Sequence, residues 1–229
     1  MLKIEHVKVY DLKESVIAAR NAMRLEIPEY TDEEFEKSLE RAKKLVQASK
    51  NSSNVKCHDN FLTGIRVSFD MKYTQYITKQ FQRYHWFDYV SSSSLMHRLV
   101  KMNLDKASNK YVSKDVIDYV NNYIELYNHL LEEKEQNSFI GHNFTLRDGT
   151  VIKCDNVEDA LYTCYMIIIS NCPMGVELFV RVSTNYKQLQ TIYFQRKHHK
   201  LKEDWGEFIE FIESLPYAKE LIIGETNND

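Results

Sequence analysis

Residues 80–99, QFQRYHWFDYVSSSSLMHRL, set Arg83, Tyr84, His85 and Trp86 side by side and follow them with four consecutive serines at 91–94. A guanidinium forks onto phosphate oxygens, an imidazole donates or accepts, and tyrosine and tryptophan rings stack on planar groups. Serine hydroxyls and the backbone amides of a helix start receive anions. Together these groups suit an aromatic, phosphorylated ligand such as a nucleotide or a flavin. The same residues would also make a solvated helix with a serine-rich cap, and the segment alone leaves both readings open. A second polar stretch, STNYKQLQTIYFQRKHHK, carries Asn185, Lys187, Gln188, Arg196 and a basic end at 197–200. Its adjacent His198 and His199 point in different directions on a helix, which makes them poor joint metal ligands, so no metal is assigned.

The elements that must position these groups are legible from period and punctuation. MLKIEHVKVYD alternates like a strand, and DLKESVIAARNAM then opens with Asp11 and Glu14 in capping-box spacing and carries Val16, Ile17 and Met23 on a helical stripe. Thr31 and Glu34 repeat that logic for a helix whose buried face is Phe35, Leu39, Ala42, Leu45 and Val46. Ile65, Val67, Phe69 and Met71 alternate in a half-buried strand. Thr74 is placed to cap a helix through QFQRYHW, which would put Gln80, Arg83 and Tyr84 on one side and Ile77 and Phe81 on another. A further helix starts among the serines. Ser113 caps a long helix with Val116, Val120, Ile124, Tyr127 and Leu131 in register, and Asp148-Gly149 marks a hairpin. Asn156 caps an apolar helix that stops before Pro173, VELFVRV is a strand, and helices follow over 186–196 and around WGEFIEFIESL, stopped by Pro216. The order is mixed α+β without internal repeats.

At 229 residues with only six Gly and three Pro, the chain reads as one domain, 1–229, with no linker. A formal charge of −3 gives no global positive field and argues against duplex nucleic acid as a partner. No run of about 18 apolar residues suggests a membrane span. The opening lacks a signal peptide's basic start and apolar centre, so the expected location is cytoplasmic. Cys57, Cys154, Cys164 and Cys172 form no CxxC pair and read as reduced thiols.

Two blocks carry a resemblance. Arg83, Tyr84 and His85 are followed by seven residues, 86–92, and then Ser93, with Gln80 just ahead and His58 upstream. This resembles the flavin-dependent thymidylate synthases, whose signature is Arg-His-Arg, seven residues, then Ser, preceded by a Gln and by a His on an earlier loop. Pro173, Asn185, Lys187, Leu189 and Arg196 resemble that family's second block, a Pro before a strand and an Asn-x-Arg-x-Leu helix start leading to a further Arg. The resemblance covers about 55–100 and 170–197. It implies an α+β domain, a mixed sheet with flanking helices, and a homotetramer whose sites combine residues of several subunits. It also implies reductive methylation of dUMP, with FAD as cofactor and methylenetetrahydrofolate and NADPH as co-substrates.

By match, Arg83, Tyr84, His85 and Asn185 would contact FAD, and Gln80, Ser93, Arg98 and Arg196 the substrate nucleotide. Lys187 and His58 would stand at the reacting rings. The chain departs from the family at Tyr84 and His85, where His and Arg are expected. It departs again at Leu95 and Lys187, where the family has Arg, and in lacking the Ala-Gln-x-Glu-Ile-Arg ending. Arg98 can compensate for Leu95, whereas Lys does not reproduce a guanidinium fork. The departures leave a second reading, a nucleotide-binding or pyrimidine-modifying homologue without synthase activity, and a third, a structural interaction module.

Overall fold

The computed structural model of the protein describes residues 2–51 and 58–224. Cys57 lies outside them. Along the chain, β1 (Lys3–Tyr10) leads to α1 (Leu12–Ala18), α2 (Asp32–Asn51), β2 (Arg66–Thr74), α3 (Thr78–Phe81) and β3 (Asp88–Ser92). The short α4 (Leu95–Arg98) and α5 (Leu104–Ala107) precede the long α6 (Lys114–Gln136). After it come β4 (His142–Thr145), β5 (Val151–Cys154), α7 (Val157–Asn171), β6 (Glu177–Asn185), α8 (Tyr186–Arg196) and α9 (Lys202–Ser214). No helix among the described residues is long and apolar enough to cross a membrane. The chain gathers into two compact units. The first comprises Met1–Tyr73, Ile77–Ser92 and Phe179–Asp229, and the second Thr74–Tyr76 and Ser93–Leu178.

The first unit is built on a sheet in the order β1-β2-β6-β3. β1 pairs with β2 and β3 with β6, both antiparallel. Strand period sorts the side chains of β2: Val67, Phe69 and Met71 are fully buried, while Arg66, Ser68 and Asp70 face outward. Phe69 packs on Phe87, Phe208 and Phe211, which ties the sheet to α9. Thr31 caps α2, its hydroxyl accepting from the Glu34 amide at 3.2 Å, and Phe35, Leu39, Ala42 and Val46 are buried as the stripe requires, with Leu45 at its margin. The preceding helix is shorter than its pattern. It ends at Ala18, Arg24 turns back to donate to the Ile17 carbonyl at 2.7 Å, and Met23 is 80% exposed. Asp11 stands at its start in the left-handed region and makes no side-chain cap.

In the second unit α6 and α7 enclose a core with the β4–β5 hairpin, which turns at Gly149 with φ +84°. Asn156 caps α7 by accepting from the Asp159 amide at 2.9 Å. The buried stripe of α6 is Ile117, Val120, Ile124 and Leu130; Val116 and Leu131 are turned outward. Apolar neighbours at 116/117 and 130/131 permit two stripes about one residue apart, and packing against α7 selects the inner one. Ser113 stands before α6 without a side-chain cap bond.

Residues 74–86 do not form one helix. β2 runs through Thr74, a 3-10 turn covers Gln75–Ile77, α3 lasts only to Phe81, and the chain reverses into β3. Phe81 and Phe87 stack with centroids 4.9 Å apart and planes 18° apart. Positions six apart on a helix face different sides, so this stack requires the helix to end between them. The four serines divide as well. Ser91 and Ser92 belong to β3, and Ser94 caps α4 through the His97 amide.

Candidate functional site

The reversal after α3 separates the signature residues into two sets within the first unit. Phe81, Tyr84 and Phe87 turn inward, whereas Arg83, His85 and Trp86 stay exposed. The turn is held at both backbone polar groups of Trp86: its N–H donates to the Gln188 carboxamide at 3.2 Å, and its carbonyl accepts from the Thr184 hydroxyl at 2.6 Å. His85 and Trp86 meet edge to face at 4.9 Å. A guanidinium, an imidazole and an indole therefore belong to exposed residues on a braced backbone.

The inward set joins the two sequence blocks. Arg196 Nε donates to the Tyr84 hydroxyl at 2.7 Å, and that hydroxyl donates to Gln195 Oε1 at 3.2 Å. The Arg196 guanidinium lies 4.8 Å from the Trp205 ring centroid, and Trp205 Nε1 donates to Gln80 Oε1 at 3.1 Å. Gln80, Tyr84 and Arg196, each expected to meet a ligand, thus gather around a buried indole. Trp205 carries no motif; its sequence signal is its place on the apolar face of α9 with Phe208 and Ile212. Beside it, burial, with Arg196 and Lys200 adding to the effect, lowers the His199 pKa, and its Nδ1 accepts from the Leu201 amide. This favours the neutral imidazole.

Asn185 begins α8 as its cap, 1% exposed, accepting from the Gln188 amide at 2.8 Å. At the second position of that helix, Lys187 Nζ donates to both carboxylate oxygens of Asp59 at 2.7 Å and to Gln190 Oε1 at 3.0 Å. Asp59 is fully buried and Lys187 keeps 26% of its side-chain exposure. Sequence reasoning did not single out Asp59. Its one signal is adjacency to His58, which is exposed, and the partnership spans 128 positions. The pair lines a cavity of about 380 Å³ among the end of α2, one side of α8 and the turn at Lys219–Ile223. Ser93 and Arg98, also expected at the substrate, belong to the second unit, Arg98 in the last turn of α4.

With this arrangement described, comparison with solved structures is informative over nearly the whole chain. A flavin-dependent thymidylate synthase, ThyX, from Helicobacter pylori, solved with FAD and dUMP, matches 96% of this chain and 97% of its own length, with a TM-score of 0.60 and 17% sequence identity. The fold is that of the flavin-dependent thymidylate synthases. A second structure of the H. pylori enzyme with the same ligands matches 97% of each chain with a TM-score of 0.59 and 16% identity. The UMP/dUMP methylase PolB from Streptomyces cacaoi, bound to 5-Br dUMP, matches 98% of this chain and 94% of its own, with a TM-score of 0.52 and 11% identity. No protein-family model matches the chain, and no curated protein sequence does.

Proposed function

We propose that the protein is a divergent flavin-dependent thymidylate synthase, converting dUMP to dTMP by reductive methylation. The reading rests on one observation: its fold follows, over nearly its full length, a synthase and a methylase that were both solved with dUMP or its bromo analogue. The overall balance is dUMP, methylenetetrahydrofolate, NADPH and a proton giving dTMP, tetrahydrofolate and NADP⁺. The hydrogen at C5 of the pyrimidine leaves as a proton. FAD, reduced by NADPH, supplies the hydride when bound.

The donor set on the braced turn fits such a cofactor. Arg83 would hold a phosphate, Trp86 offers a face for stacking, and His85 offers a donor or acceptor beside it. Tyr84 departs from this set because its hydroxyl is engaged by Arg196 and Gln195. Lys187, kept in place by Asp59, would hydrogen-bond a ring carbonyl and stabilise negative charge developing on the pyrimidine, the kind of preorganised electrostatic contact that requires no enzyme nucleophile. His58 would lie at the rings, Gln80 and Arg196 would orient the nucleotide from the cluster around Trp205, and Asn185 would set the start of α8. Ser93 and Arg98 complete the substrate set in a homotetramer. Light scattering at micromolar concentration tests that assembly, and a monomer with intact dUMP binding would remove it.

A second reading, a pyrimidine-nucleotide binder without synthase activity, is favoured by the same ion pair, since the Lys187 charge is already met by Asp59. Tritium release from [5-³H]dUMP, with FAD, NADPH and methylenetetrahydrofolate present, separates the two. Release supports the synthase. A flavin-loaded protein that binds dUMP and releases no tritium is the binder.

A further inference from the structure

The second unit carries a groove lined by none of the residues assigned to FAD or dUMP. Tyr119 and Tyr123 of α6, Tyr162 and Met166 of α7 and Ile152 of β5 line it. Residues four apart lie one above the other on a helix, so each helix lends the groove a pair of large side chains. Its volume, about 480 Å³, falls within the roughly 300–1,000 Å³ usual for small-molecule sites. The Tyr119 and Tyr123 ring centroids are 5.2 Å apart with planes tilted by 59°. Tyr119 is 46% and Tyr162 67% exposed, which leaves much of their ring area open to a ligand. The only formal charge in the lining is Arg147, in the β4–β5 turn, and no carboxylate lines the groove. Among the described residues the Arg147 guanidinium has no ion pair and no hydrogen bond. Its neighbour Asp148 is engaged in the turn, accepting from the Thr150 amide at 3.0 Å.

We propose that this groove binds a small aromatic monocarboxylate, its planar ring against the tyrosines and its carboxylate on Arg147. Aromatic rings pair with tyrosine in offset or edge-on geometry, and the Met166 thioether adds a polarizable contact. The guanidinium fork matches the two oxygens of a carboxylate. One cation balances one negative charge, whereas a phosphate monoester carries about −1.5 to −2 at pH 7. The charge of the groove therefore selects a carboxylate over a nucleotide, and the site is separate from the one proposed for dUMP. The competing account makes the exposed tyrosines a face that a second copy of the chain covers.

Calorimetric titration of the full chain with 2-naphthoate and with 2-naphthalenemethanol tests the assignment, because the two probes share the ring and differ in the charge. The acid is expected to bind with a Kd on the order of 0.1 mM and the alcohol about tenfold more weakly. Arg147→Met should bring the acid to the level of the alcohol and leave the alcohol within about threefold. Arg147→Lys should keep a preference for the acid. Tyr162→Ala should weaken both probes about threefold or more. Saturating dUMP should leave the affinity for the acid unchanged. The assignment is overturned if the acid does not bind at about 1 mM, if both probes bind equally, or if Arg147→Met leaves the acid unaffected. Displacement of the acid by dUMP overturns it too. So does a smaller assembled mass for Tyr162→Ala in light scattering, which would mean that a second copy covers the groove. Thermal unfolding of each variant checks its fold, and Arg147→Gln carries the same comparison should Arg147→Met not fold.

Discussion

Replacing Lys187 by Met while keeping Asp59 would strand a carboxylate in the interior, and the structure sets the size of the penalty. Asp59 has no solvent exposure, and both its oxygens lie 2.7 Å from the ammonium. Two unit charges about 3 Å apart attract by about 5 kcal/mol at an effective dielectric constant near 20, and desolvation of both groups cancels much of that. Removing the cation keeps the desolvation cost of Asp59 and deletes its compensation, which costs about 3–5 kcal/mol in buried pairs. The adjoining cavity can admit water, so about 3 kcal/mol is the expected loss for Lys187→Met. Asp59→Asn should cost less, about 1 kcal/mol, because Lys187 retains 26% exposure and can turn its ammonium toward solvent. The double variant should be more stable than Lys187→Met alone, since no buried charge remains. Urea unfolding at pH 7 of the four proteins measures the coupling directly. A Lys187→Met loss below about 0.5 kcal/mol, or simple additivity in the double variant, would refute the buried pair.

Arg83→Ala should weaken FAD binding by about 1.5–3 kcal/mol while leaving the urea midpoint unchanged, because the side chain is exposed on a turn held by other groups; an unaltered FAD titration would remove Arg83 from the cofactor site. On the outer face of the sheet, burial raises the Asp70 pKa, but hydrogen bonds from His6 and Arg181 outweigh it and hold the carboxyl below its ordinary value. The stability it contributes is therefore present above the unfolded value, near 3.9, and is lost as pH falls below that through the lower folded value. Acid unfolding of Asp70→Asn should show a shallower loss of stability below about pH 4 than the parent, and equal slopes in the two proteins would contradict the linkage.

Local chemistry made much of this chain readable in advance. Asn156 caps α7 because a short carboxamide reaches an amide three residues on, which needs no distant partner. Gly149 turns the β4–β5 hairpin because only a residue tolerant of positive φ sits there without strain. Ile65, Val67, Phe69 and Met71 are buried because a strand alternates its faces. The spacing of Arg83, Ser93, Asn185 and Arg196 likewise pointed to the fold that the solved structures share. Tertiary packing decided which charges remain available to a ligand. The Phe81–Phe87 stack and the grip of Gln188 and Thr184 on Trp86 ended the helix expected through Arg83, turning Tyr84 inward and Arg83 outward. Arg196 was drawn onto Tyr84 and Trp205, and Lys187 onto Asp59, 128 positions away. Such pairings depend on which distant side chains the fold brings within about 3 Å of one another, a distance that neither spacing nor period encodes.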